Sequence, residues 1–141
     1  MVKYKLEVES DFDFLLFGIC AHIKDYKLAW LINQQLELML VRSENDVINW
    51  TSLPNKRRSY GLFKYFNENN GVNYYLINNS VDNVKLLPDQ RQFDFFLMIK
   101  GDVELSIVNL VKKIREITGV LTVYELDPEN IKHKDNLIFD E

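Results

Sequence analysis

Polar and apolar side chains alternate over residues 3–8, KYKLEV, and this period of two predicts a first strand. Beyond it the period changes. Phe12, Leu15, Leu16 and Ile19 recur at helical spacing behind Ser10, which precedes Asp13 by three positions as in a capping box, so a short helix is expected there. Residues 23–36, IKDYKLAWLINQQL, lack Gly and Pro and stack Ile23, Tyr26, Trp30 and Leu31 on one side. Asp25 near the start suits the positive end of the helix dipole, and an amphipathic helix is predicted. LELMLVR, 36–42, alternates well enough for a strand.

Residues 43–58 are polar, hold Pro54 and the run Lys56-Arg57-Arg58, and read as a long connection. SYGLFKYF and VNYYLIN then flank NENNG, whose Asn-Gly pair can supply the positive φ angles of a hairpin turn. A strand follows from Phe93 to Lys100. Gly101-Asp102 next caps a helix whose apolar stripe is Val103, Ile107, Leu110, Ile114 and Ile117, ended by Gly119. VLTVYEL, 120–126, is the last strand, and Pro128 stops it. The element order is β, α, β, hairpin, β, α, β. It predicts the α+β class: an antiparallel or mixed sheet of about six strands with two main helices packed on one face. Residues 1–126 read as a single domain, and 127–141 as a polar, acidic and partly mobile C-terminal tail.

With 141 residues, 47% of them hydrophobic, one domain can bury roughly two thirds of its unfolded surface. The formal charge of −4 argues against a nonspecific polyanion binder. Its acidic surplus lies in the second half, mostly after Leu126. The lone cysteine, Cys20, allows no internal disulfide. FLLFGICA, 14–21, is too short to span a bilayer and follows four acidic residues, and Ile19 fills the place where a lipoprotein signal needs a small residue. The chain is therefore expected to be cytoplasmic, without a membrane partner. In that compartment the sequons at Asn49 and Asn78 carry no meaning.

The stretch LPDQRQFDF, 87–95, resembles the signature of the IPExxxVDY family, an uncharacterised bacterial family found mainly in Bacteroidota. GICAHIKDYKLAWLINQQLELML, the hairpin YGLFKYFNENNGVNYYLINN and FFLMIKG are similar to further blocks of that family, so the resemblance covers most of the chain. Pro88 and Asp94 match the motif outright, while Leu87, Asp89, Phe93 and Phe95 stand for isoleucine, glutamate, valine and tyrosine. Phe95 has no hydroxyl, which removes any proton donor at that position. The resemblance implies no known activity. Its gene neighbourhoods, with acyl carrier protein, a ketoacyl synthase and ribonuclease III, imply an acidic carrier protein or an RNA-processing assembly as a partner.

Taken residue by residue, Pro88 is a stiff lead-in that cannot donate to a ladder. Strand alternation sends Phe93, Phe95, Leu97 and Ile99 to one face and Asp94, Phe96, Met98 and Lys100 to the other. A half-buried Asp94 needs donors, and the amides of 88–92, Arg91 or the 56–58 cations are the candidates. A structural anchor is the favoured reading of Asp94, and a binding or catalytic carboxylate is the alternative.

Other chemistry thins out quickly. One Cys and two His build no closed zinc site, and no metal is expected. His22, three positions before Asp25, pairs at most as a cap, and His133 sits between lysines. Glycines at 18, 61, 71, 101 and 119 draw neither a phosphate loop nor a dinucleotide fingerprint, no GxSxG occurs, and no cofactor is expected. The carboxylate pairs Asp11/Asp13 and Asp82/Asp89 read as solubilising. What remains is Lys56, Arg57 and Arg58 beside Tyr60, Phe63, Tyr65 and Phe66, a basic and aromatic grouping. The expected function is a non-enzymatic protein-interaction or adaptor module that meets a protein partner through Lys56, Arg57, Arg58 and Tyr60, with a homodimer as one form. Two alternatives stand beside it. One is a small enzyme or ligand-binding protein using Asp94 with Arg91, His22 or Lys100; the other is an RNA- or phosphate-facing accessory protein using the Lys56–Arg58 loop.

Overall fold

The computed structural model describes residues 14–50, 52–101 and 106–137. The strand expected over 3–8 lies outside them, as do Ser10, Asp11, Asp13, Asp102 and Val103. The described chain runs β1 (Leu15–Ala21), α1 (Asp25–Leu36), β2 (Val41–Arg42), β3 (Val47–Ile48), β4 (Ser59–Tyr60), β5 (Leu62–Asn67), β6 (Val72–Asn78), β7 (Ser80–Val81), β8 (Val84–Lys85), β9 (Phe95–Lys100), α2 (Ile107–Arg115) and β10 (Val120–Leu126). Short 3₁₀ turns lie at Pro54–Lys56, Pro88–Gln90, Pro128–Asn130 and Lys134–Leu137. The class is α+β. Six strands form one wholly antiparallel sheet in the order β10-β1-β9-β6-β5-β2, and two-stranded ribbons β3-β4 and β7-β8 stand beside it.

Residues 15–21, expected as part of a helix, form a central strand instead. Phe17, Ile19 and Ala21 face one core cluster and Leu16 faces another, so neither side of this segment meets water. A short apolar run buried on both faces has no polar side from which a period can be read. The resemblance of its spacing to a helix was fortuitous.

Both helices pack on one face of the sheet. Leu28, Ala29 and Ile32 of α1 and Leu110 and Ile114 of α2 meet Phe17, Leu76, Phe95, Leu97 and Val123. On α1 this differs from the expected stripe: Tyr26 and Trp30 are 63% and 58% exposed, and the buried side is the one carrying the smaller Ala29. Two large aromatics four positions apart drew the expected stripe about half a turn off. On α2 the expected Leu110, Ile114 and Ile117 are buried, and Ser106 caps the helix by accepting the Asn109 amide.

The other face is closed without helices. Val47, Tyr60, Leu86, Leu87, Phe93, Ile131 and Leu137, all from ribbons and loops, cover Leu16, Leu62, Tyr75, Ile77, Phe96 and Met98. Residues 127–137, expected as a polar tail, thus supply two core side chains. Polar composition hid them because Ile131 and Leu137 are the only large apolar side chains buried among residues 127–137.

The hairpin between β5 and β6 forms as expected, with Asn67 opposite Val72. Its single left-handed residue is Gly71 at φ 71°, and the loop closes through Gly71 N–H donating to the Asn67 carbonyl at 2.8 Å. Phe93 departs from the strand alternation expected of it, since it precedes β9 and turns to the helix-free face. There its ring lies against Gly18: a methyl group built on Gly18 falls 2.6 Å from the ring carbons. The ring also meets Phe96 and Tyr124 edge-on at 6.2 Å each. Gly18→Ala is expected to cost about 1–3 kcal/mol by overpacking, partly restored when Phe93→Leu is added. Urea unfolding of both variants checks it, since an Ala variant as stable as the native chain removes the contact.

Candidate functional site

The motif segment begins as two consecutive requirements of the backbone. Pro88 occupies the first position of the 3₁₀ turn Pro88–Gln90, where its missing N–H is no loss, and it holds Leu87 extended at φ −119°, ψ 91°. The turn carries the chain from the β7-β8 ribbon back into β9. Backbone groups left inside such a turn need partners.

Asn79 supplies them. Its side chain is fully buried, its Oδ1 accepts the Leu87 amide at 2.9 Å, and its Nδ2 donates to the carbonyls of Phe93 at 2.9 Å and Gln90 at 3.1 Å. Its own amide donates to the Asp94 carbonyl and its carbonyl accepts Leu86 N–H, at 3.0 and 2.8 Å. One residue therefore pins both ends of the motif. From the C-terminal side, Asn136 Nδ2 donates to the Leu86 carbonyl at 2.8 Å, and Lys132 N–H donates to Asp89 Oδ2 at 3.0 Å.

Asp94 ends the ladder between β1 and β9. The last backbone pair is Ile19 with Phe95, and Asp94 N–H donates to the Ile19 carbonyl at 2.9 Å. Two residues on, Ala21 N–H finds the Asp94 Oδ2 carboxylate at 2.9 Å instead of a backbone carbonyl. The donor thus differs from all three expected candidates. At the same place β1 shifts register against β10, and Cys20 Sγ donates to the Gln92 carbonyl. Burial, then the neighbouring Asp94 charge, raise the Cys20 pKa, which favours the protonated thiol.

The groups proposed to work with Asp94 do not converge on it. Arg91 is exposed, and Lys100 is at the opposite end of β9 with its ammonium 6.0 Å from the Phe14 ring centre. His22 is exposed ahead of α1, and Asp25 takes the Asn78 side-chain amide at 2.9 Å rather than the imidazole. Phe95 belongs to the helix-side core.

The basic segment has its own buried asparagine. Asn49 Oδ1 accepts Arg58 N–H at 2.7 Å, while its Nδ2 donates to Ser52 Oγ at 2.8 Å and to the Lys56 carbonyl at 3.3 Å. Tyr60, expected at the binding surface, is fully buried; its hydroxyl donates to the Val84 carbonyl at 2.8 Å. Burial, opposed by Arg58 and assisted by Asp82, pushes its pKa up to about 12. Arg58 is half-buried, donates to the Asn55 and Arg57 carbonyls, and has its Nε 3.4 Å from Asp82. Asp82 and Asn83, at φ 51° and 65°, form the turn of the β7-β8 ribbon, a pair of left-handed residues suited to a tight hairpin.

Outward from this frame project Lys56, Arg57, Trp50 and Leu53. Trp50 and Leu53 are 60% and 64% exposed, and the Arg57 guanidinium lies 5.5 Å from the Trp50 ring centre and donates to the Trp50 carbonyl at 3.1 Å. Sequence reasoning missed Asn49, Asn79, Trp50 and Leu53. The one available signal was an asparagine at the end of each apolar run, and both had been set aside as parts of sequons. Asn49, the acceptor position of the first sequon, has no exposed surface and cannot receive a glycan without dismantling its loop.

Comparison with family models, with curated proteins and with solved structures gave no match. No helix among the described residues is long and apolar enough to cross a membrane, and no metal-binding group of side chains occurs among them.

Two outcomes follow. Asn79→Ala leaves the Leu87 amide and two carbonyls without partners and is expected to cost about 3 kcal/mol or more, whereas Asp94→Asn keeps an acceptor for Ala21 and costs about 1 kcal/mol or less. Chemical denaturation ranks the two, and a reversed order contradicts the assignment. Separately, Tyr60 ionises near 10 when unfolded and near 12 when folded, so its contribution to stability is complete below pH 10 and is lost as pH rises toward 12. Burial also raises the pKa of Tyr74, so the test is the difference between the native chain and Tyr60→Phe: the variant is expected to show the shallower alkaline loss.

Proposed function

We propose that the protein is a cytoplasmic, non-enzymatic interaction module of the IPExxxVDY type, and that the loop 50–57 docks an acidic segment of a protein partner. The observation that carries this reading is the Trp50–Arg57 pair held outward on a loop whose interior is satisfied by Asn49. A loop already ordered before binding loses little entropy on docking, and exposed Trp and Arg are the side chains most often dominant in interfaces. Lys56 and Arg57 supply positive charge for an acidic partner, and Trp50 with Leu53 supplies the apolar anchor.

Nucleic acid is the weaker partner for the same surface. With Arg58 engaged by Asp82 and two carbonyls, the loop offers two cations, too few to neutralise a run of phosphates on a chain of net charge −4. The cytoplasmic assignment draws support from Cys20, a free cysteine with no second cysteine in the sequence to pair with. Self-association through the edge strand β10 is disfavoured, because Arg115 donates to the Val123 carbonyl at 3.0 Å and the register breaks near Val120.

The test is a photo-crosslinking residue in place of Leu53, expressed in the native cell. A defined protein crosslinked through an acidic segment, with yield falling at least tenfold in Trp50→Ala and in Arg57→Ala, is the expected result. Equal yield in these variants and the native chain would overturn the reading.

A further inference from the structure

We propose that the cavity between the C-terminal end of α1 and the side of α2 binds a small carboxylate with a compact apolar body. The cavity encloses about 210 Å³. Leu36 and Leu38, on either side of the α1 C-cap, and Leu110 of α2 give it apolar walls, and Tyr74, Ser106, Asn109 and Lys113 supply its polar groups.

Tyr74 is the informative member. Only 6% of it is exposed, its ring stacks on Tyr65 with centroids 5.9 Å apart, and its hydroxyl makes no hydrogen bond among the described residues. Tyrosine hydroxyls on buried rings ordinarily find a partner. Here the sheet delivers one to the wall of an open cavity, with no protein partner among the described residues. Burial, and then the neighbouring Tyr65, raise its pKa, so the group stays a protonated donor at neutral pH. On the adjacent turns of α2, Asn109 and Lys113 are spaced four apart and share one helical face.

Lys113 contributes an ammonium group, and no carboxylate lines the cavity among the described residues. Glu37, between Leu36 and Leu38, is exposed and is not part of the wall. The Ser106 oxygen already accepts the Asn109 amide, while the Lys113 ammonium and the Tyr74 hydroxyl have protons to give, and an anionic acceptor is the complementary ligand. Leucines around them favour an organic anion over a hydrated inorganic one. None of these residues belongs to the 50–57 loop, so the site stands or falls separately from the interaction reading.

Benzoate is the probe, with benzylamine as the control of opposite charge and the same ring. Titrated into the full chain and followed by amide NMR, benzoate is expected to shift Leu38, Asn109 and Leu110 saturably with a Kd on the order of 1 mM. Tyr74→Phe keeps the ring and loses the donor; Lys113→Gln keeps the stem and loses the charge. Each is expected to weaken benzoate about fivefold or more. Lys113 is exposed, so its variant decides the matter should Tyr74→Phe disturb the fold. The proposal is overturned if benzoate gives no saturable response at these amides, if benzylamine shifts them equally, or if the folded variants bind benzoate as tightly as the native chain.

Discussion

Asn79 is where the fold is most constrained. A peptide loop can cross the buried face of a sheet only if its amides and carbonyls are paired, and here one side chain pairs three of them while its own backbone pairs two more. With that amide in place, the 86–94 segment can lie flat against Tyr75, Ile77, Phe96 and Met98 and bring Leu86, Leu87 and Phe93 inward. The motif aspartate then ends the β1–β9 ladder at Ala21, and Asp89 and Leu86 anchor the C-terminal segment through Lys132 and Asn136.

The result is a sheet sealed by helices on one side and by irregular chain on the other. Helices satisfy their own backbone, so the first side needs only apolar side chains. Irregular chain does not, so the second side needs buried side-chain amides, two placed at the ends of strands and one in the turn Lys134–Leu137. Asn49, Asn79 and Asn136 share that role, and each is buried. The same device ties Ser52, Lys56 and Arg58 to Asn49, while Trp50 and Leu53 remain exposed.

Two features of the surface are left over once the structural roles are assigned. One is the Trp50–Arg57 pair above the Asn49 frame; the other is the unpaired Tyr74 hydroxyl in the groove where α1 and α2 separate. Neither coincides with the motif. Leu87, Phe93 and Phe95 are buried in the two cores and Asp94 is bonded to the Ala21 amide, so these side chains are taken up by the fold.

Residues that repeat a local rule were readable from the chain alone. The β5–β6 hairpin follows from Asn-Gly between two aromatic runs, the α2 stripe from Leu110, Ile114 and Ile117, and β10 from its bounding Gly119 and Pro128, because each depends on neighbours within a few positions. Tertiary structure decided the rest. Leu15–Ala21 became a strand because both of its sides are covered by distant chain, α1 buried Ala29 and left Trp30 out because of what the sheet offered it, and Tyr60 went inside because Val84 and Asn49 waited there for its hydroxyl. Asn79 shows the limit most plainly: a local pattern can predict a turn, but which side chain satisfies a turn's buried backbone is settled only when segments far apart in sequence are brought together.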